Sequence, residues 1–478
     1  MDIDYKKIRL KSGIEIHQQL DTRKLFCQCL SLLRQDEPDF EIERKLHAVA
    51  GEEGEIDVAA AYEAGRKREF IYQGYKDTTC LVELDEEPPH MINQEALEIS
   101  LQISLLLNCD VLPVSQIMRK TVIDGSNTSG FQRTVLIARN GFVETPLGKV
   151  GIDNVSLEED ACRIIGVKEG KVVFRLDRLG IPLVEIGTAP DIHSPEQAKE
   201  VALHIGEILR SCKVKRGIGT IRQDVNMSIR GGKRVEIKGV QEPALISKTI
   251  IREIERQQHE KLKSGEVRKA EPDGSTTFLR PLPGAARMYP ETDLPLLKIS
   301  KQMIDKVKKT LPRMRHEIRE ELVEQGLNPE MAALILKKGK LDEYKELMIV
   351  DKKPNLIAKM LVLWREEIAS HENQEIEKIE EKLNLDLFED ILKLLKQKKI
   401  EENDIKRIMN EFYKGKTLSE AIKKEKVSAS GIEEEILKLL EEKPGLSESA
   451  YMGLLMQKHK GKLSGKEISE LLKKHTPT

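Results

Sequence analysis

Residues 13–20 read Gly-Ile-Glu-Ile-His-Gln-Gln-Leu, and this short stretch decides how the rest of the chain is read. Its apolar residues fall at every second position, so a strand puts Ile14 and Ile16 on one side and Glu15, His17 and Gln19 on the other. A carboxylate and an imidazole two residues apart on a strand can approach one divalent ion together. For a single strand, a solvated sheet face is the ordinary alternative. The pattern recurs, however. IRQDVNMSIR (221–230) sets Arg222, Asp224, Asn226 and Ser228 against Val225, Met227 and Ile229, and RVEIKG (234–239) sets Glu236 and Lys238 against Val235 and Ile237. VVFRLDRLGIPLVEI (172–186) adds Asp177, Arg178 and Glu185, and SLEED (156–160) adds Glu158, Glu159 and Asp160. Strands of this kind predict an α+β protein with a largely antiparallel catalytic sheet. One face of that sheet forms a wet, charged floor on which acidic groups suit Mg²⁺ and basic groups suit phosphate.

The rest of the chain is consistent with such a core and bounds what it serves. The 478 residues are 39% hydrophobic, enough for several packed cores. Lys and Arg total 79 against 81 Asp and Glu, a net charge of −2 that excludes a globally basic nucleic-acid coat but leaves room for a local basic patch. No apolar run is long enough to span a membrane and the start, MDIDYKKIRL, is no signal peptide, so a cytoplasmic protein is expected. The six cysteines are too sparse for a disulfide scaffold. Cys27 and Cys29 with the distant Cys80 could bind zinc, but no second CxxC pair completes the set, and buried thiols are the expectation. We place a catalytic core at 1–298, with a patternless polar linker at about 259–276, then a helical domain at 299–400 and a small helical tail at 401–478. The tail is rich in lysine, including Lys458, Lys460, Lys462 and Lys466.

Two further segments carry candidate chemistry. In RKTVIDGSNTSGFQRT (119–134), Arg119 and Lys120 precede a loop of small residues whose backbone amides could approach an anion. FLRPLPGAARMYPETDLP (278–295) holds Arg280, Arg287, Tyr289, Glu291 and Asp293 in a Pro/Gly-ordered segment. No Gly-x-Ser-x-Gly elbow or other local nucleophile signature is present.

Taken together, GIEIHQQLDTRKLFC, DTTCLVELDEEPPH, MRKTVIDGSNTSGFQRT, LDRLGIPLVEIGTAPDI, GTIRQDVNMSI, VEIKGVQE and RPLPGAARMYPETDLP resemble the GatB/GatE family of proteins from glutamyl-tRNA(Gln) amidotransferases, in its archaeal GatE type. The end of the chain resembles the YqeY-like, tRNA-binding tail of that family. The resemblance implies an ATP- and Mg²⁺-dependent ligase that phosphorylates the γ-carboxylate of glutamate misacylated onto tRNA(Gln), after which ammonia displaces phosphate. It implies an asparaginase-like partner, GatD, as the ammonia source in a heterotetramer of two GatD and two GatE. The lack of a nucleophile motif agrees with that division of labour. By the same resemblance Glu15, His17, Glu158, Glu159 and Glu185 are catalytic, with Glu15, His17, Glu159 and Glu185 holding metal. Arg119, Lys120, Ser129, Gly130, Gln132, Arg178, Arg222, Asp224, Glu236, Lys238 and Arg287 contact nucleotide or substrate. The four tail lysines contact tRNA. One departure stands out: the aspartyl-tRNA-synthetase-like insertion of the GatE type is replaced by KLKSGEVRKAEPDGST (261–276). A non-catalytic tRNA-binding scaffold, or a GatB-like member of a GatCAB-type complex, are the alternative readings.

Overall fold

The computed structural model describes residues 3–478 apart from 49, 51–53, 67, 261, 283–286, 424–435, 441, 444–447, 459–471 and 473–478. It divides into two units, Met1–Met314 and Arg315–Thr478. In chain order the strands are β1 (Lys11–Gln19), β2 (Phe40–Arg44), β3 (Phe70–Gly74), β4 (Asp110–Val111), β5 (Val114–Ser115), β6 (Ile117–Thr121), β7 (Phe131–Thr145), β8 (Gly148–Glu159), β9 (Arg163–Lys168), β10 (Lys171–Arg175), β11 (Pro182–Thr188), β12 (Ile221–Ser228), β13 (Val235–Lys238), β14 (Glu266–Ala270), β15 (Thr276–Pro281), β16 (Met288–Pro290) and β17 (Leu297–Lys298). The helices of the first unit are α1 (Val58–Ala64), α2 (Gln94–Leu106), α3 (Pro195–Ser211), α4 (Pro243–His259) and α5 (Lys301–Lys309).

Eleven strands form one sheet in the order β15-β14-β13-β12-β1-β11-β8-β7-β6-β16, with β4 on β7. The pairs are antiparallel except β13 with β14. Alternation sends Ile14, Ile16, Val155, Leu157, Val184, Ile186, Val225 and Met227 to one face, where they join the buried faces of α2, α3 and α4 in a single core. Burying each such side chain contributes roughly 1.5–3 kcal/mol. The covering helices start where their sequences dictate. Ser194 accepts a hydrogen bond from the Gln197 amide with Pro195 in the first turn of α3, and Asn93 accepts from the Ala96 amide to open α2. The other face of the sheet, with the polar set, is thereby left free of helices drawn from this core.

A second sheet, β2-β3-β10-β9, packs around Phe70, Tyr72 and Phe174, whose ring centroids lie 5.9–6.4 Å apart. It grips the small-residue loop after β6. The Tyr72 hydroxyl donates to the Gly125 carbonyl at 2.8 Å, and Gly125 has a φ of 95° with the Phe70 ring where a Cβ would stand.

The polar stretch at 259–276, expected to be a linker, instead carries a strand. β14 extends the large sheet in parallel with β13 and buries Val267. Its pattern is hidden because the side chains of Glu266 and Arg268 go to ion pairs, with each other at 3.0 Å and, for Glu266, with Arg256 at 2.7 Å. Farther on, α5 is capped by Ser300 and contributes Val307 to the core of the first unit.

The second unit is helical, from Arg315–Glu324 to Leu418–Ala421, around Tyr344, Ile357, Leu361, Phe388, Ile391, Ile405 and Ile408. A π-helical turn, Lys359–Trp364, leads into the buried Arg365, which donates twice to the Leu383 carbonyl and once to Glu343. Farther on, Ile436, Tyr451, Leu455 and Leu472 cluster, and Lys458 ends a helix over Glu448–Lys458. Lys460, Lys462 and Lys466 lie outside the described residues. Among the described residues no helix is long and apolar enough to cross a membrane.

Candidate active site

The register of three central strands assembles the site. β1 runs antiparallel to both neighbours, which puts His17 opposite Glu185 and Arg222, and Glu15 opposite Gly187 and Asp224. Asn226 faces Glu236 on β13, Leu183 faces Glu158 on β8, and Lys120 on β6 faces Gln132 on β7. Strand alternation therefore brings Glu15, His17, Glu185, Asp224, Glu158, Glu236, Lys238, Lys120 and Gln132 onto one face. These residues come from strands scattered along the first unit, yet their side chains touch in a continuous row. His17 Nε2 is 3.3 Å from Glu15 and 3.2 Å from Glu185. Lys120 Nζ is 2.5 Å from Glu158 and 3.3 Å from Glu185, and Lys238 Nζ is 2.8 Å from Asp224 and 2.6 Å from Glu236. Gln132 donates to Glu158 at 3.1 Å.

Two groups of donor atoms in this row are close enough to share an ion: Glu15, His17 and Asp224, and His17, Glu158 and Glu185, each within 4.8 Å and with His17 in common. The electrostatics suit a cation. Burial and the neighbouring Glu185 charge push Glu15 up to about 7, and the same two causes raise Glu158. Glu185 is buried too, but Lys120 and His17 hold it well below the usual carboxylate range. For His17, burial opposes the charged form and the bond to Glu185 overcomes it, raising the imidazole. Burial likewise opposes charge on Lys120 and Lys238, yet Glu158 and Asp224 raise them. The named carboxylates outnumber the lysines, so an added dication would relieve real repulsion, and the oxygen-rich donor set fits Mg²⁺.

Farther along the same face the row continues into a buried network. Gln19 donates to Asp160 at 2.6 Å, and Arg222 donates to Asp160 at 2.8 Å. Arg178 lies 3.8 Å from Asp160 and donates to the carbonyls of Ala161 and Cys162. At the other end Arg287 donates to the Thr121 carbonyl at 3.4 Å, and burial with the nearby Arg280 lowers its pKa.

Some expected members stand elsewhere. Arg119 and Lys120 are consecutive in β6, as Glu158 and Glu159 are in β8, so each pair is split across the sheet. Glu159 pairs with Arg133 at 3.4 Å rather than joining His17, Glu15 and Glu185. Arg119 and Arg133 both bind the buried Glu291, Arg119 through two bonds of 2.5 and 2.9 Å and Arg133 through one of 2.9 Å. In the small-residue loop, Ser129 donates to the Phe131 carbonyl and the Gly130 carbonyl accepts from Val122. Among the described residues no hydrogen bond ties either of them to the carboxylate row.

One group was legible in the sequence only in part. The thiols of Cys27, Cys29 and Cys80 and the carboxylate of Glu83 lie within 4.8 Å of one another, a four-donor set that could hold a metal. Cys27 donates to Glu83 at 2.8 Å, the Cys80 amide does the same, and Lys24 stands 3.7 Å away. The fourth donor is a carboxylate rather than a second CxxC pair, and the spacing Cys80-x-x-Glu83 is its trace in the sequence.

The family model for the GatB/GatE catalytic domain matches residues 10–305, which include every residue of the charged row. The chain is 38% identical to the GatE protein of the glutamyl-tRNA(Gln) amidotransferase of Methanocaldococcus jannaschii, covering 99% of both chains. It is 37% identical to the GatE of Archaeoglobus fulgidus over 99% of this chain and 98% of that one. The chain belongs to the GatB/GatE family. Its GatE relatives in Methanothermobacter thermautotrophicus and Thermococcus sibiricus are 36% and 34% identical, over 85% and 99% of this chain. The alignment to the M. jannaschii GatE runs over 630 positions against the 478 residues here, so about 150 positions of that GatE have no counterpart.

Proposed function

We propose that the chain is the ATP-using component of a glutamyl-tRNA(Gln) amidotransferase of the GatE type, acting on glutamate esterified to tRNA(Gln). The observation that carries the reading is His17 standing between Glu15 and Glu185 with Lys120 and Lys238 on either side. A γ-carboxylate oxygen attacking the γ-phosphorus of ATP forms an O–P bond as the bond to the leaving ADP breaks; the step brings two anions together, so it needs fixed positive charge around the phosphoryl oxygens. Lys120, Lys238 and Arg287 supply it from the chain. Glu15, His17 and Asp224, or His17, Glu158 and Glu185, would hold Mg²⁺. When bound, the ion supplies further neutralisation of the phosphates. The C–O bond to phosphate in the resulting acyl phosphate then breaks as ammonia forms the new C–N bond, giving the amide and inorganic phosphate. The half-buried setting of the row, with Glu158 and Asp224 buried, limits the access of water to that intermediate.

Ammonia comes from an asparaginase-like partner, GatD, in an assembly of two GatD and two GatE, in the cytoplasm. Family resemblance and the lack of a nucleophile motif support this. The YqeY-like tail contributes Lys458, Lys460, Lys462 and Lys466 to the tRNA backbone. On this reading the insertion of the longer relatives belongs at the connection around 259–276, outside the charged row.

The test is His17→Ala. Glu-tRNA(Gln)-dependent ATP hydrolysis should fall at least a hundredfold while thermal unfolding followed by circular dichroism is unchanged. A variant that turns over at near the wild-type rate overturns the reading.

A further inference from the structure

Half of the chain's six cysteines converge on one point. Cys27 and Cys29 follow β1, while Cys80 and Glu83 follow β3, and one donor atom from each lies within 4.8 Å of the other three. Apolar packing does not account for this group. A buried free thiol ordinarily behaves as a small hydrophobe, and Cys109, Cys162 and Cys212 do so inside apolar clusters. Around Cys27 the neighbours are charged instead. Its thiol donates to Glu83, whose side chain is only 3% exposed. The fully buried Lys24 stands 3.7 Å from that carboxylate, beyond hydrogen-bond reach, and gives its own bonds to the carbonyls of Thr78 and Leu176. A carboxylate buried this far is costly without a closer counter-charge.

We infer that Cys27, Cys29, Cys80 and Glu83 bind one Zn²⁺ as a structural site, separate from the charged row and its chemistry. Thiolates select a soft, tetrahedral ion over Mg²⁺. With zinc–sulfur bonds of about 2.3 Å a tetrahedron sets its donors roughly 3.8 Å apart, which this group reaches by small side-chain adjustments. An iron–sulfur cluster, several atoms across, would hold its thiolates farther apart. On binding, the three thiols give their protons to solvent and no electron moves. Three thiolates and one carboxylate carry four negative charges, of which the ion and Lys24 cancel three. The outer donors are in place: the Cys29 amide points at Cys27 Sγ at 3.4 Å, and the Cys80 amide donates to Glu83 at 2.8 Å. Half-exposed Cys29 and Cys80 provide the way in. The ion ties together the two ends of the segment that carries β2, α1 and β3, so it clamps the base of the second sheet. The clamp reaches its surroundings through the Glu83 carbonyl, which accepts from Thr128 at 2.6 Å. Gly180, with a φ of 81°, lies so close that a Cβ there would stand 3.3 Å from a Glu83 oxygen.

The experiment is metal analysis of the full chain by plasma mass spectrometry after dialysis, with Co²⁺ exchanged in as a spectroscopic probe. The wild type should carry about one zinc per chain. Its cobalt form should show the intense visible bands of a tetrahedral ion and a thiolate-to-cobalt charge-transfer band. Cys80→Ser and Glu83→Gln should each weaken zinc at least tenfold. Glu83→Cys should keep the ion and strengthen the charge-transfer band by about a third, as the thiolates rise from three to four. A wild type without zinc that gives no tetrahedral cobalt spectrum overturns the assignment. So does iron in place of zinc, or a disulfide between Cys27 and Cys80 recovered by peptide mapping. Full zinc content in both Cys80→Ser and Glu83→Gln overturns it too, by placing the ion elsewhere. The cobalt spectrum is read on the wild type, so a variant that fails to fold leaves the test intact.

Discussion

Glu291 shows what a single buried carboxylate does for this architecture. It accepts from Arg119 and Arg133 together, its side chain is fully buried, and Arg119 also lies 4.6 Å above the Phe131 ring. Burial alone would raise its pKa, but the bond from Arg119 prevails and lowers it. Glu291→Ala would remove the buried carboxylate that two guanidinium groups share, leaving Arg133 only Glu159 at 3.4 Å and Arg119 only Asp293 at 3.2 Å, so we expect a loss of about 3 kcal/mol in chemical denaturation of the first unit. Asp160 offers a pH test. It is fully buried, which disfavours its charge, yet Arg222 and Arg178 hold its pKa below the ordinary 3.8. A folded pKa below the unfolded one means that the stabilisation is complete above about pH 4 and drains away as pH falls through the folded value. Asp160→Asn should therefore flatten the dependence of stability on pH below about 4, with lower stability at neutral pH.

Strands decide which of two neighbouring charges does chemistry. Lys120 points into the carboxylate row and Arg119 into the Glu291 cluster, although nothing but alternation separates them. Lys120→Met should cut turnover at least tenfold with little change in melting temperature, whereas Arg119→Met should mainly lower the melting temperature. The period-two reading of Gly13–Leu20 made the floor of the site legible from the sequence, since Glu15, His17, Asp224, Glu236 and Lys238 each alternate with a buried aliphatic. The same rule applied to the pairs 119–120 and 158–159 would have divided them; motif resemblance, which is blind to side, kept them together. The Cys27 group and β14 were hidden for other reasons. One needs a contact between residues 27 and 83, and the other disguises a strand with ion pairs. The loop at Gly125 offers small residues that suit an anion cradle, and what the sequence does not disclose is that its backbone is pinned by the aromatic cluster of the second sheet. Gly125→Ala must adopt a positive φ and displace Phe70, and should cost about 2 kcal/mol.

At the scale of the molecule, the two units have separate cores. A chain ending at residue 314 should therefore fold and keep the ATP affinity of the full protein, while its affinity for tRNA falls; equilibrium binding of each ligand checks both halves. Changing Lys458, Lys460, Lys462 and Lys466 together to Ala should flatten the salt dependence of tRNA binding, because each lost phosphate contact releases fewer counterions. The place of β1 has a consequence during synthesis. The strand sits between β11 and β12, and its first partner begins only at Pro182. At 5–20 residues per second, roughly ten to thirty seconds pass between the making of Ile14 and Ile16 and the arrival of anything for them to pair with. A nascent chain must carry that sticky, incomplete strand through more than a third of its own translation, which makes it a natural client for a ribosome-associated chaperone.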